Sequence, residues 1–171
     1  MFRIRPETPA DTYEVELLFD LAFAPGRTAL SSYRLRDGIA PLTDLSLVAR
    51  DDYDAVAGAV RFWPVRVGAA GLPALLLGPI AVHPTRQGEG LGALLMSESL
   101  SRAAASGWER VLLVGDLPYY SRFGFSKVGV EFPPPTNPDR VLGRELVPGG
   151  LEGLHGPVRR WTEDPDPALA P

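Results

Sequence analysis

The apolar positions of this chain change period several times, and each change marks an element. Phe2 to Arg5 alternates apolar and charged residues, as a short strand does. Thr8, Pro9 and Asp11 then supply an N-cap, a proline at the first helical position and an acidic first turn. In the helix that follows, Val15, Leu18, Phe19, Ala22 and Phe23 recur at three-and-four spacing and predict one buried face, ended by Pro25 and Gly26. A weaker helical segment from Thr28 to Arg36 closes at Asp37-Gly38. Leu45 to Arg50 and Ala55 to Val67 read as an antiparallel hairpin across the turn Asp51 to Asp54. Leu72 to Val82 adds a third strand, interrupted by Gly78-Pro79, and a proline inside an apolar strand points to a bulge or to pairing lost on one side.

From Gly90 to Ser106 the period returns to that of a helix, with Ala93, Met96, Leu100, Ala103 and Ala104 as its apolar stripe and Gly107 as its stop. The serines Ser97, Ser99 and Ser101 are expected on its solvent side. Val111 to Val114 is a continuous apolar run, so strand, helix and second buried strand form a βαβ crossover with parallel strands. A short helical turn then carries Tyr119, Tyr120 and Phe123. Phe125 to Glu131 predicts another strand, Pro133, Pro134, Pro135 and Pro138 a rigid loop, and Arg140 to Val147 a last strand. The expected organisation is one domain over residues 1–161 with a frayed tail over 162–171, and its class is mixed α/β.

Composition narrows the chemistry. A chain of 171 residues with 45% hydrophobic and 22% charged positions is of ordinary globular make-up. The absence of cysteine excludes a disulfide framework, a thiolate metal site and a cysteine nucleophile, and with only His83 and His155 no metal is expected. Both histidines read as solvated turn residues. A net charge of −4 argues against nucleic acid as the main partner, because phosphate backbones attract a basic field. Sixteen of the seventeen cations are arginine, a bias given no functional weight, and Arg159 and Arg160 beside Trp161 read as a surface pair. The N-terminus has no apolar signal region, and the longest uncharged stretch, Val67 to Val82, is broken by glycines and prolines and is shorter than the ~20 apolar residues of a spanning helix. A cytoplasmic protein with no membrane partner is the expectation.

The segment Arg86-Gln87-Gly88-Glu89-Gly90-Leu91-Gly92-Ala93 lies between a strand and a long helix. Glycines there let backbone N–H groups approach an anion, and a helix N-terminus adds roughly half a positive charge, so a phosphate or pyrophosphate is the natural guest. Arg86 adds a cation. A Walker loop is excluded because the segment has no lysine. Gly88, Gly90 and Ala93 match G-x-G-x-x-A on paper, but Rossmann glycines follow their strand directly, whereas His83 to Gln87 intervene here after Val82. No G-x-S-x-G nucleophile elbow occurs.

Gln87-x-x-Gly90-x-Gly92, preceded by Ile80-Ala81-Val82-His83-Pro84, resembles motif A of the GNAT superfamily of N-acetyltransferases, and Tyr120-x-x-x-Gly124-Phe125 resembles a second motif of that family. The resemblance covers about residues 2 to 130, of the kind met in a bacterial branch. It implies the GNAT fold, with an antiparallel N-terminal meander, a βαβ crossover and splayed central strands. It further implies acetyl-CoA as cosubstrate, its diphosphate on Arg86, Gln87, Gly88, Gly90, Leu91, Gly92 and Ala93 and its pantetheine along Ile80, Ala81 and Val82. If Gly78-Pro79 bends the strand away from Val111 to Val114, the backbone groups of Ile80 and Val82 lose strand partners, and the amides of pantetheine can pair with them.

By the same resemblance Tyr120 protonates the departing thiolate. Tyr119 is expected in the core with Phe123 and Phe125. The acceptor is a small-molecule or peptide amine attacking directly in a ternary complex, expected to lie against the region Asp11 to Asp37, where Phe23, Arg27, Tyr33 and Arg34 are available, and the loop after Glu131. Leu75 to Val82 has no carboxylate where many members of the family present a glutamate. The base is then a water chain, a distant acid such as Asp116, or none if the amine arrives neutral; Asp116 also reads as a turn acid. The same gap keeps open a non-catalytic acyl-CoA sensor or scaffold, and a homodimer through the C-terminal strands is compatible with the sequence.

Overall fold

The computed structural model describes residues 1–23, 27 and 30–161. The helix stop expected at Pro25 and Gly26, the segment start at Thr28 and the tail from Thr162 fall outside those residues. β1 (Arg3–Pro6), β2 (Leu47–Arg50), β3 (Val56–Val67) and β4 (Leu72–Val82) form an antiparallel meander, with α1 (Thr12–Phe23) inserted after β1. α2 (Leu91–Ala105) crosses over to β5 (Arg110–Val114), which pairs parallel to β4. After α3 (Leu117–Tyr120) come β6 (Ser126–Lys127), β7 (Val130–Glu131), β8 (Val141–Glu145) and β9 (Gly156–Arg160). The mixed sheet runs β1-β2-β3-β4-β5-β8-β6, and β9 pairs with β3 and β7.

Strand alternation sorts the apolar residues to two faces. Leu75, Leu77, Val111 and Leu113 meet α2 through Leu91, Leu95, Met96, Leu100 and Ala103. On the opposite face, Val48, Ala59 and Ala81 meet Val15, Leu18 and Phe19 of α1, and Leu76 and Leu112 join Leu35 and Val158. At ~25 cal/mol per Å² of apolar surface removed from water, these faces supply the main drive for folding.

The expected stripe on α2 is displaced by part of a turn. Leu91, Leu95 and Ser99 are buried while Ala104 is exposed. Ser99, expected in solvent, is fully buried and donates its hydroxyl to the Met96 carbonyl at 3.1 Å, which makes a serine tolerable against the sheet. On α1 the buried face stops at Phe19; Phe23 is 45% exposed because the last turn overhangs a cavity instead of the sheet.

The Thr8 cap is also not formed as expected. Thr8 donates through its N–H and hydroxyl to Asp11, at 2.8 and 2.9 Å, and the helix begins at Thr12. Asp11 is 1% exposed and accepts from Arg5 (2.7 and 2.9 Å) and Arg50 (2.7 and 3.2 Å). Hydrogen bonds from Arg5, Arg50 and Thr8 hold its carboxyl well below the usual carboxylate range, against the cost of burial. This cluster ties β1, α1 and β2 together.

The strand expected over Phe125 to Glu131 is split. Ser126 and Lys127 pair with β8, whereas Val130 and Glu131 pair parallel with β9. β8 is not the last strand, because Gly156–Arg160 returns to the long β3 at Val65–Val67, beyond the reach of β2. Arg159 and Arg160 are therefore strand residues, donating to the carbonyls of Gly68 (2.9 Å) and Asp37 (3.0 Å). No helix among the described residues is long and apolar enough to cross a membrane.

Candidate active site

β4 and β5 are in register only at Leu75 with Val111 and Leu76 with Leu112. Beyond that point β4 stays with β3, through Ile80, Ala81 and Val82, and β5 stays with β8, through Leu113 and Val114. The interruption read at Gly78-Pro79 is thus where two parallel strands part. Ala81 is the register partner of Ala59, and the His83 N–H donates to the Ala57 carbonyl at 2.8 Å. Backbone groups alternate sides along an antiparallel ladder, so those of Ile80 and Val82 point away from β3, into the gap.

The glycine-rich segment forms the far wall of this gap. His83 accepts from the Thr85 N–H, at 3.2 Å, and starts a 3-10 turn over Pro84–Arg86. Gly88 and Gly90 have φ of +85° and +78°, the left-handed region where side chains are disfavoured, and a Cβ at either would touch nothing. Backbone conformation is therefore what demands glycine at both. Gly90 caps α2 without a side-chain acceptor, and Leu94 is the first N–H to reach a helical carbonyl, that of Gly90 at 3.1 Å. The N–H groups of Leu91, Gly92 and Ala93 precede the ladder, at the positive end of a 15-residue helix with no acid in its first turn.

All ten residues marked by the sequence for the cosubstrate line one cleft of about 490 Å³. Its opposite side holds Tyr119, Tyr120 and Arg122. Arg86, expected to face phosphate, is bound to Asp51 and Glu89, each at 2.8 Å, and lies over the Phe2 ring. Arg122 was not anticipated. Among the described residues it has no carboxylate partner, and it lies over the rings of Tyr119 and Phe123. Its place inside the Tyr120 to Phe125 motif was the available signal. Tyr119 packs on Phe123 as expected, with ring centroids 5.5 Å apart, but it is no core residue: it is 36% exposed, and a Cβ on Gly92 would come within 3.3 Å of its hydroxyl. The ring packed on Phe125 is that of Tyr120, with centroids 6.0 Å apart.

Tyr120 ends α3, whose first turn is held by Asp116 accepting from the Tyr119 N–H at 3.2 Å. Asp116 is accordingly the turn acid, and it lines neither the cleft nor the cavity beyond it. The Tyr120 ring has room only because residue 115 is glycine, where a Cβ would lie 2.5 Å from Tyr120 Cε2. Burial, with a smaller contribution from Tyr119, pushes the Tyr120 phenol up to about 12, so it keeps its proton at neutral pH.

On the other side of Tyr120 lies a second cavity, of about 110 Å³, between the split strands and the segment around Arg27 to Arg36. Phe23, Arg27 and Tyr33 line it as expected, but Arg34 turns outward to the Pro134 carbonyl at 2.9 Å. None of the described residues lining it is a carboxylate. Ile80 and Tyr120 line both spaces and stand where they meet.

Residues 43–127 match the family model of the acetyltransferase (GNAT) domain. The chain is 38% identical over 123 residues to the uncharacterized N-acetyltransferase YhbS of Escherichia coli (strain K12), covering 71% of this chain and 72% of that protein. It belongs to the GNAT family of acetyltransferases. The crystal structure of YhbS from Escherichia coli in complex with CoA superposes with a TM-score of 0.78 at 31% identity, covering 94% of this chain and 89% of that one. A GNAT acetyltransferase from Brucella melitensis in complex with acetyl-CoA gives 0.62 at 37% identity, over 74% and 83% of the two chains. Membership makes the protein an acyltransferase of the GNAT fold and sides against the sensor reading.

Proposed function

We propose that this GNAT enzyme moves an acetyl group from acetyl-CoA to a primary amine by direct attack in a ternary complex. The observation carrying this reading is the junction at Ile80 and Tyr120, shared by a cleft suited to a diphosphate and an extended amide chain and by a separate cavity for an acceptor. The N–H groups of Leu91, Gly92 and Ala93 receive the diphosphate, with Gly88 and Gly90 keeping the backbone close. Arg122 supplies the unpaired cation, while Arg86, held by Asp51 and Glu89, braces the loop. Ile80, Ala81 and Val82 form the wall for pantetheine, and the backbone groups of Ile80 and Val82 pair with its amides.

The amine nitrogen attacks the thioester carbonyl carbon; the C–N bond forms, the C–S bond breaks, and the Tyr120 hydroxyl gives its proton to the departing sulfur. A phenol held neutral by burial is in the protonation state this step requires. The amine proton released as the adduct collapses passes through water and restores the Tyr120 phenol, since no carboxylate among the described residues lines the acceptor cavity. The enzyme therefore depends on an amine that arrives neutral, which an α-amino group with a pKa of about 8 does far more often than a lysine at about 10.4.

The test follows free-thiol release from acetyl-CoA with a panel of amines, for the wild type and Tyr120→Phe. Loss of one general acid reduces kcat by about 100-fold or more. KM for acetyl-CoA should hardly move. Acetyl-CoA, but not NAD or ATP, should raise the melting temperature. Equal kcat for the wild type and Tyr120→Phe would remove the tyrosine from the mechanism.

A further inference from the structure

Five arginines of the described chain are buried: Arg27, Arg36, Arg50, Arg61 and Arg110. Four have carboxylate partners, with Arg27 on Glu16 and Asp20, Arg50 on Asp11 and Glu14, Arg61 on Glu7 and Glu16, and Arg110 on Glu109. Arg36 has none among the described residues. It is 8% exposed, its Nη1 and Nη2 donate to the carbonyls of Ser32 and Gly78 at 3.0 Å each, and its buried Nε has no partner. The guanidinium stacks over Tyr33, 4.4 Å from the ring centre, and lines the acceptor cavity. A buried charge with an idle donor is costly unless an opposite charge joins it. The neighbouring cation of the cavity, Arg27, is already neutralised by its two acids.

We propose that the acceptor is a small amino-carboxylic acid, such as a free amino acid, whose carboxylate docks on Arg36 while its amine reaches the junction at Ile80 and Tyr120. The proposal rests on the acetyl-transfer reading and specifies its substrate class. A guanidinium fork is matched to the planar carboxylate. Arg36 holds the Gly78 carbonyl, only two residues before Ile80 along β4. That closeness suits an amine and a carboxylate on one small molecule, in keeping with the size of the cavity. Pairing the carboxylate with Arg36 also removes a charge that holds the proton on the amine, which matters in a cavity with no carboxylate among its described lining residues.

The test uses the full chain with acetyl-CoA and the common L-amino acids, each offered as the free acid and as its amide, with aminoalkyl phosphonates as a third arm. At least one free acid should exceed its own amide by tenfold or more in kcat/KM, about the contribution of one charge-assisted pair. In Arg36→Gln that ratio should fall to near one, while the melting shift given by acetyl-CoA stays. Equal turnover of acids and amides by the wild type overturns the proposal, as does an unchanged ratio in Arg36→Gln or turnover of phosphonates alone. Should the variant fail to fold, the acid-to-amide ratio of the wild type decides. Should no amine turn over, binding of N-acetyl amino acids and their amides to the CoA-loaded protein is measured instead. Preference for the acids then upholds the Arg36 site while the transfer reading fails, and equal binding overturns the site.

Discussion

Gly115→Ala probes whether the position of the Tyr120 ring, and not merely its presence, sets the rate. The added Cβ would lie 2.5 Å from Tyr120 Cε2, 2.9 Å from Cδ2 and 3.0 Å from Leu113 Cδ1. Carbon atoms in contact prefer roughly 3.5 to 4.0 Å. The ring must therefore move by about 1 Å, since Leu113, fixed in the core, closes the other direction. A misplacement of about 1 Å at a reacting group can cost about 100-fold in rate. Overpacking costs about 1–3 kcal/mol of stability, partly offset by the lower chain entropy of alanine, about 0.4–1 kcal/mol. Steady-state kinetics should then give kcat reduced by about 100-fold with KM for acetyl-CoA within a few fold. In a Tyr120→Phe background the same change should cost much less, because the group it displaces no longer donates a proton. Wild-type kcat in Gly115→Ala, or full additivity in the double variant, would refute the reasoning.

Arg122→Gln should raise KM for acetyl-CoA by about 10-fold at low salt and flatten its salt dependence. Arg86→Gln, in a side chain already bound to two acids, should change it less. Asp11→Asn should lower stability by about 1–3 kcal/mol in chemical denaturation, because Arg5 and Arg50 lose a buried carboxylate acceptor while Arg50 keeps Glu14. The depressed pKa of Asp11 means its stabilisation is full above the ordinary carboxylate range and lost as pH falls below about 4, so the wild type should lose its advantage over Asp11→Asn in acid. With Tyr120 raised to about 12, kcat/KM should show a single limb, rising with the pKa of the acceptor amine, and no fall from the tyrosine below about pH 10.

The glycine loop and the strand break were legible because both rest on backbone chemistry that few residue types satisfy. Positive φ at Gly88 and Gly90 and a proline within β4 are local facts. β9 was missed because Gly156–Arg160 carries little apolar alternation, and its β3 partners are more than 90 residues away in sequence. Ser99 was misjudged because a serine can satisfy its own hydroxyl on the helix carbonyl and enter a core. Tyr119 and Tyr120 are adjacent aromatics, and only the turn at α3 decides which packs on Phe125. The isolation of Arg36 depends on the positions of every acid in the fold, which no spacing rule conveys.

Amide hydrogen exchange, read by NMR residue by residue with and without coenzyme A, bears most directly on the cleft between β4 and β5. Binding should slow exchange at Ile80 and Val82, and at Leu91, Gly92 and Ala93, all of which lack helical or strand carbonyl partners in the free protein. Unchanged exchange at these amides, with slowing elsewhere, would contradict an extended thiol carrier lying along the free edge of β4.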